Sequence, residues 1–159
     1  MVRRTSLEGA ECPVARSLDA IGDWWSLLIV RDAFDGLRRF SEFQRNLGLA
    51  RNILADRLRT LLAHGILEQA PASDGSAYQE YVLTPRGRAL FPVVVGLRQW
   101  GEAFFYAPGE AHSVLVDTAD GQPVPPLEVR AADGRLLGPD DAVVRKVREV
   151  RKVDEHAAR

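Results

Sequence analysis

The chain of 159 residues holds one cysteine, one methionine and three histidines. The single cysteine, Cys12, excludes an internal disulfide framework and fits a reducing compartment. Lysine is scarce too: Lys146 and Lys152 stand alone, so arginine carries the basic charge. No apolar run approaches the ~20 residues of a membrane span, which argues against a membrane partner. The opening MVRRTSLEGAECP has charge but no apolar stretch behind it, against a secretory signal. Together these absences point to the cytoplasm. His64, His112 and His156 are isolated, each without a neighbouring nucleophile or carboxylate pair. No catalytic constellation stands out, so neither an enzyme nor a cofactor is expected.

What is present is ordinary for a globular chain, with 46% hydrophobic and 27% charged residues. The length suits one core with a small appendage. The net charge of −1 conceals a cluster: Arg38, Arg39, Arg45, Arg51, Arg57 and Arg59 face only Glu42 and Asp56 over the same stretch. Binding to phosphates depends on such a local patch and not on the sum over the chain.

Helix signals come early and close together. Pro13 suits a first helical turn and Gly22 ends that segment; Asp23 can cap WWSLLIVRDAF, whose all-round apolarity predicts a buried central helix. Ser41 and Gln44 match a capping-box pattern opening SEFQRNL, which Gly48 closes. The stretch LARNILADRLRTLLAHGIL follows after a turn, giving helix-turn-helix spacing. ILEQA and YQEYVLT, joined by PASDGSA, read as a hairpin. Thr84-Pro85 then starts a long helix that Pro92 and Gly96 should bend and Pro108-Gly109 should end. This order is that of a winged helix-turn-helix, a mainly α fold with α+β character. The expected division is a winged domain over residues 1–107 and a small β-rich C-terminal extension over 108–159, built around two Ala-Asp-Gly turns. The tail, with Val143, Val147, Val150 and Val153 among basic residues, suits a helix, a strand or disorder equally.

Within the stretch before the hairpin, Leu54, Leu58, Leu61 and Leu62 form one stripe at 100° per residue, and Asn52, Asp56, Arg59 and Ala63 the opposite face. A solvated Arg/Asp face is the plain interpretation of that pattern. A DNA reader is the other: Arg51 and Asn52 near the N-terminal end suit guanine and adenine edges, and Ala55 is small enough for close approach. Arg38, Arg39 and Ser41, at the start of the preceding helix, suit phosphate oxygens.

CPVARSLDAIGDWWSLLIVRDAFDGLRRFSEF, LADRLRTLLAHGILEQ and YVLTPRGRAL together resemble the HxlR-type family of bacterial winged-helix transcription regulators, in order from Cys12 to about Gly101. The resemblance implies a homodimer on an inverted-repeat operator of double-stranded DNA, acting by repression more than by activation, with the first and last helices of the winged domain making the dimer contact. It implies phosphate contacts from Arg38, Arg39 and Ser41, and places Arg51, Asn52 and Arg59 on or near bases. Two departures stand out. Ala50 occupies the start of the recognition helix where the family often has Ser or Thr, so a cap is missing. The wing carries Asp74 and Tyr78-Gln79 where many relatives have a basic residue, leaving Ser76 and Gln79 as the wing candidates.

Cys12 lies at a helix N-terminus, which favours a reactive thiolate. It resembles the N-terminal cysteine through which some members sense oxidants, so it is a candidate redox sensor; a structural Cys-Pro pair is the alternative. Trp24, Trp25, Trp100 and Phe104 cluster at the two segments expected to dimerise, where they serve as core or interface, or line a pocket for a small-molecule effector. The extension resembles the ribbon-like unit of some relatives but lacks cysteine, so no thiolate zinc site is expected. The competing function is a winged-helix module for protein interaction or ligand sensing, without specific DNA binding.

Overall fold

The computed structural model describes residues 6–147. The chain divides into two compact units, with the boundary between Arg98 and Gln99. The first holds the helices and the hairpin in the order α1 (Pro13–Ile21), α2 (Trp24–Phe34), α3 (Phe40–Leu47), α4 (Arg51–Ala63), β1 (Leu67–Pro71), β2 (Gln79–Leu83) and α5 (Pro85–Arg88). A further helix, α6 (Phe91–Phe104), begins in the first unit and ends in the second. The fold is a winged helix-turn-helix, mainly helical with a small two-stranded antiparallel sheet among the described residues.

Local chemistry accounts for most of the boundaries. Pro13 opens α1, and Gly22 stands at its C-terminal cap. Asp23 caps α2 by accepting from the Ser26 backbone N–H at 3.0 Å, and it also receives the Ser26 hydroxyl at 2.5 Å. Gly48 ends α3 with φ 64°, a left-handed conformation that glycine adopts without a Cβ penalty. Leu67 pairs with Leu83 and Pro71 with Gln79 across the hairpin, and the Asp74-Gly75 turn (Gly75 φ 75°) lies between the strands.

The core of this unit is built by Ile29 and Val30 from α2, Phe43 from α3, Leu54, Leu58 and Leu61 from α4, and Ile66 and Leu67 beyond it. The leucine stripe therefore faces inward, with Leu62 packed against its margin. Helices α2 and α3 are also joined by a buried polar link. Asp32 is 1% exposed, and its Oδ1 receives Arg31 Nε at 2.9 Å and Nη2 at 2.7 Å, while its Oδ2 receives Asn46 Nδ2 at 2.8 Å. A carboxylate buried without such donors would be strongly destabilising, so Asp32 keeps its Asn46 partner and that one bond ties α3 to α2.

Four local expectations differ from the structure. Helix α3 begins at Phe40, with Arg39 as its N-cap, and Ser41 lies inside the first turn. Glu42, not Gln44, closes the turn: its Oε2 accepts from the backbone N–H of Arg38 and of Arg39, each at 2.9 Å. An ionised carboxylate is the stronger acceptor for these orphan donors, and the two N–H groups hold the Glu42 carboxyl below its usual range. The long helix after Thr84 is broken, not bent, since Ala89 and Leu90 separate α5 from α6. Pro92 has no N–H to offer the Arg88 carbonyl, and its ring crowds that position. Helix α6 ends at Phe104, before Pro108-Gly109.

The C-terminal extension keeps both turns but forms no extended strand among the described residues. Isolated bridges join Val116 to Pro123 and Arg130 to Leu136 around turns carrying Gly121 (φ 71°) and Gly134 (φ 86°). Pro123, Pro125 and Pro126 remove the donors a ladder would need. Gln99 substitutes for part of a strand: its amide Nε2 donates to the Pro125 carbonyl at 3.0 Å and its Oε1 accepts from the Leu127 N–H at 2.7 Å. A short 3₁₀ turn covers Pro139–Asp141. Residues 142–146 carry no regular structure, and Val143 is 87% exposed; Val150, Val153 and His156 lie outside the described residues. No helix among the described residues is long and apolar enough to cross a membrane.

Candidate nucleic-acid interface

Helix α4 exposes Arg51, Asn52, Asp56, Arg59 and Ala63 on the side away from its buried leucines, with Ala55 half-buried between. The exposed side chains belong to the face that the 100° pattern assigns to them. They are not equally available. The Arg51 guanidinium carbon lies 5.4 Å from the centroid of the Phe40 ring, a cation–π distance that parks it at the start of α3. Arg59 shares its charge with Asp56 at 3.2 Å one turn earlier on the helix. Arg57 points the other way, 3.5 Å from the Asp23 carboxylate, and so ties α4 to the start of α2.

Ala50 is the N-cap of α4, in extended backbone at φ −61° and ψ 141°, and its side chain makes no cap hydrogen bond. The missing cap is thus real, and its backbone geometry is that of an ordinary cap residue. Ala50→Ser should stabilise the protein by about 1 kcal/mol, because the hydroxyl can accept from an orphan N–H of the first turn. Urea unfolding measures this directly, and an unchanged or lowered midpoint would mean that those donors are already satisfied.

The start of α3 and the wing meet. Arg39 forms an ion pair with Asp74 at the wing tip, thirty-five positions away, and its Nε lies 3.8 Å from Glu80 Oε1. Arg38 Nη1 lies 3.6 Å from Glu80 Oε2, and the Arg38 carbonyl accepts from the Tyr81 N–H at 2.8 Å. Glu80, on β2, is only 3% exposed and also receives the Ser73 hydroxyl at 3.0 Å. Ser76 donates its backbone N–H to Asp74 Oδ1 at 3.0 Å. Hydrogen bonds from Ser76, and then from the Arg39 guanidinium, hold the Asp74 carboxyl well below the usual carboxylate range. Asp74 in turn raises the Arg39 guanidinium above its already high value.

Of the residues singled out from sequence, Arg38, Arg39 and Ser76 therefore come together with the wing, and Arg51 comes to the α3 start. Ser41 and Gln79 are exposed. Sequence reasoning missed Glu80 as the buried hub and took Asp74 only as a negative charge. Glu80 is buried next to the exposed Gln79 on β2, and its arginine partners lie far away in the chain, so no local signal in the sequence marks it.

The remaining candidates belong to other parts of the molecule. Cys12 is exposed at the N-cap of α1. Trp24 is 80% exposed, whereas Trp25 packs against the core of the first unit. In the second unit Trp100 meets Phe105 edge-to-face at 5.0 Å and Phe104 at a tilt at 6.1 Å between ring centroids. His112 lies against the Tyr106 ring at 4.7 Å and 3.9 Å from Glu102. Among the described residues, no three His, Cys, Asp or Glu side chains form a metal-binding group.

Three helices around a shared core, an exposed arginine–asparagine turn on α4 and a hairpin wing define a winged helix-turn-helix protein. The chain matches the HxlR-like helix-turn-helix family over residues 20–108 and belongs to that family. Over 95 residues it is 44% identical to the HTH-type transcriptional regulator Mb3122 of Mycobacterium bovis, spanning 60% of this chain and 60% of that relative's length. YybR of Bacillus subtilis, another HTH-type transcriptional regulator, is 37% identical over 93 residues, 58% of this chain and 74% of its own. Among solved structures, the candidate transcription factor PA1607 is 60% identical with a TM-score of 0.85, covering 89% of this chain and 99% of its own. The redox regulator HypR, in its oxidised form, is 36% identical with a TM-score of 0.53, over 58% of this chain and 96% of its own.

Proposed function

We propose that this protein regulates transcription by binding double-stranded DNA as a homodimer on an inverted-repeat operator, most simply as a repressor. The observation that carries the proposal is the first turn of α4: Arg51 and Asn52 are both exposed beside a small Ala55, on a helix held from behind by Leu54, Leu58 and Leu61. Arginine and asparagine at that place can each make two hydrogen bonds to a base edge in the major groove. Paired helices would enter successive grooves ~34 Å apart. Residues 1–107 would supply DNA binding and dimerisation; Trp24 on the first unit, and separately Trp100 and Phe104 on the second, are the exposed aromatic side chains proposed for a subunit contact or a small-molecule effector, while Trp25 packs against the core. Cys12, exposed at the start of α1, is the proposed point of redox control; the similarity to HypR, a redox regulator, supports that assignment.

The test is a footprint on the DNA upstream of the protein's own gene at two salt concentrations. A protected inverted repeat whose affinity falls steeply with salt is expected. A second reading, a protein-interaction module, is favoured by the exposed apolar side chains of the second unit, among them Val114 at 57% and Val129 at 66%. It predicts no inverted-repeat footprint and no sequence preference in a random-pool selection.

A further inference from the structure

Arg39 is the arginine of the α3–α4 surface whose partner comes from the wing tip. Its guanidinium pairs with Asp74 and lies beside the buried Glu80, which Arg38 and Ser73 also reach. Two arginines therefore face two carboxylates, so the Arg38-Arg39 pair at the start of α3 is already matched with acid within the protein. The two acids are not equivalent. Glu80 is 4% exposed at its side chain and fixed, whereas Asp74 is 51% exposed at the tip of a turn whose Gly75 has nothing packed within 4 Å of a would-be Cβ. An ion pair at that exposure contributes little to stability, so an external anion can take its place at small cost.

We propose that Asp74 sets DNA affinity as a competitor for Arg39: in the free protein it holds the guanidinium against the wing, and on DNA a backbone phosphate displaces it. This rests on the DNA-binding reading above and adds a positioning residue to it. The exchange has a definite electrostatic signature. Neutralising a phosphate releases condensed counterions, but freeing Asp74 returns a carboxylate that recruits cations near the duplex. The net release is smaller than the number of arginines suggests. Sequence-independent affinity is thereby held down, and discrimination falls more heavily on the base-facing residues of α4.

The experiment compares wild type, Asp74→Asn, Arg39→Ala and the double variant for binding to a mixed-sequence duplex and to a site obtained by random-pool selection, across a salt series. Asp74→Asn should tighten binding to both duplexes alike, by up to about five-fold at low salt, and steepen the log–log salt slope by up to ~0.9. In the Arg39→Ala background the same change should have little effect. A wing held in place only for packing would not move the salt slope, and thermal unfolding of each variant separates a damaged fold from a weakened DNA interface. No gain from Asp74→Asn, or an undiminished gain in the Arg39→Ala background, overturns the exchange while leaving DNA binding intact. Absence of salt-dependent binding by the wild type to any duplex removes the DNA reading and this inference together.

Discussion

Gly87→Ala should destabilise the winged unit by about 3 kcal/mol, the upper part of the range for forcing atoms into a filled site. A Cβ on Gly87 would lie 2.2 Å from the Ile66 carbonyl oxygen and 2.9 Å from Leu83 Cδ2. The glycine is needed there for space, and the space is closed by a set of interlocking bonds. Thr84 donates its N–H to the Ile66 carbonyl at 3.1 Å and its hydroxyl to the Gly65 carbonyl at 2.5 Å, while that hydroxyl accepts from the Gly87 N–H at 3.1 Å. Arg86 reaches the His64 carbonyl at 2.8 Å. Short helix α5 is thus sewn to the corner between α4 and β1. A methyl group would push α5 off that corner and with it Leu83, the residue that pairs with Leu67 at the base of the wing. Urea unfolding with an unchanged slope and a markedly lowered midpoint is the expected result. A loss under 1 kcal/mol would mean that α5 can shift without disturbing the corner.

The second large effect concerns the first turn of α4. Arg51→Ala together with Asn52→Ala should lower affinity for a selected DNA site by ~1–3 kcal/mol for each base-reading side chain removed, from about thirtyfold for the pair at the lower end to about ten-thousandfold at the upper end. Binding to mixed-sequence DNA should change far less, because base-edge contacts carry the sequence information and phosphate contacts carry the general attraction. Arg59→Ala should cost less than Arg51→Ala, since Arg59 already shares its charge with Asp56. Circular dichroism should show the fold of the Arg51/Asn52 variant intact, as both side chains are exposed and outside the core. Equal weakening on selected and mixed DNA would take base reading away from this turn.

The legible and illegible features of the chain divide by sequence distance. Pro13, Asp23, Gly48 and Thr84-Pro85 mark helix ends through contacts with residues within one turn, so each can be seen in the linear order. The inward stripe of α4 is of the same kind, whereas the missing cap at Ala50 stands out through the family resemblance. The α3 start is ambiguous in sequence because two capping patterns overlap there. Ser41–Gln44 and Arg39–Glu42 have the same spacing, and the ionised Glu42 has the stronger claim on the backbone donors. The Val/Leu runs of the extension look like strands by propensity, but interspersed prolines leave them only single bridges.

Composition, spacing and local capping by themselves determined the helix-turn-helix order, the hairpin and the face of α4 that carries Arg51 and Asn52. They could do so because burial periodicity and cap chemistry act between residues close in the chain. Only the tertiary structure decided what the basic residues do before any partner arrives. It set Arg39 against Asp74 and Glu80, Arg57 against Asp23, Arg51 over Phe40, and Asp32 beneath Arg31 and Asn46. Charges pair through space according to distance and burial, and the fold alone brings a wing tip to a residue thirty-five positions earlier.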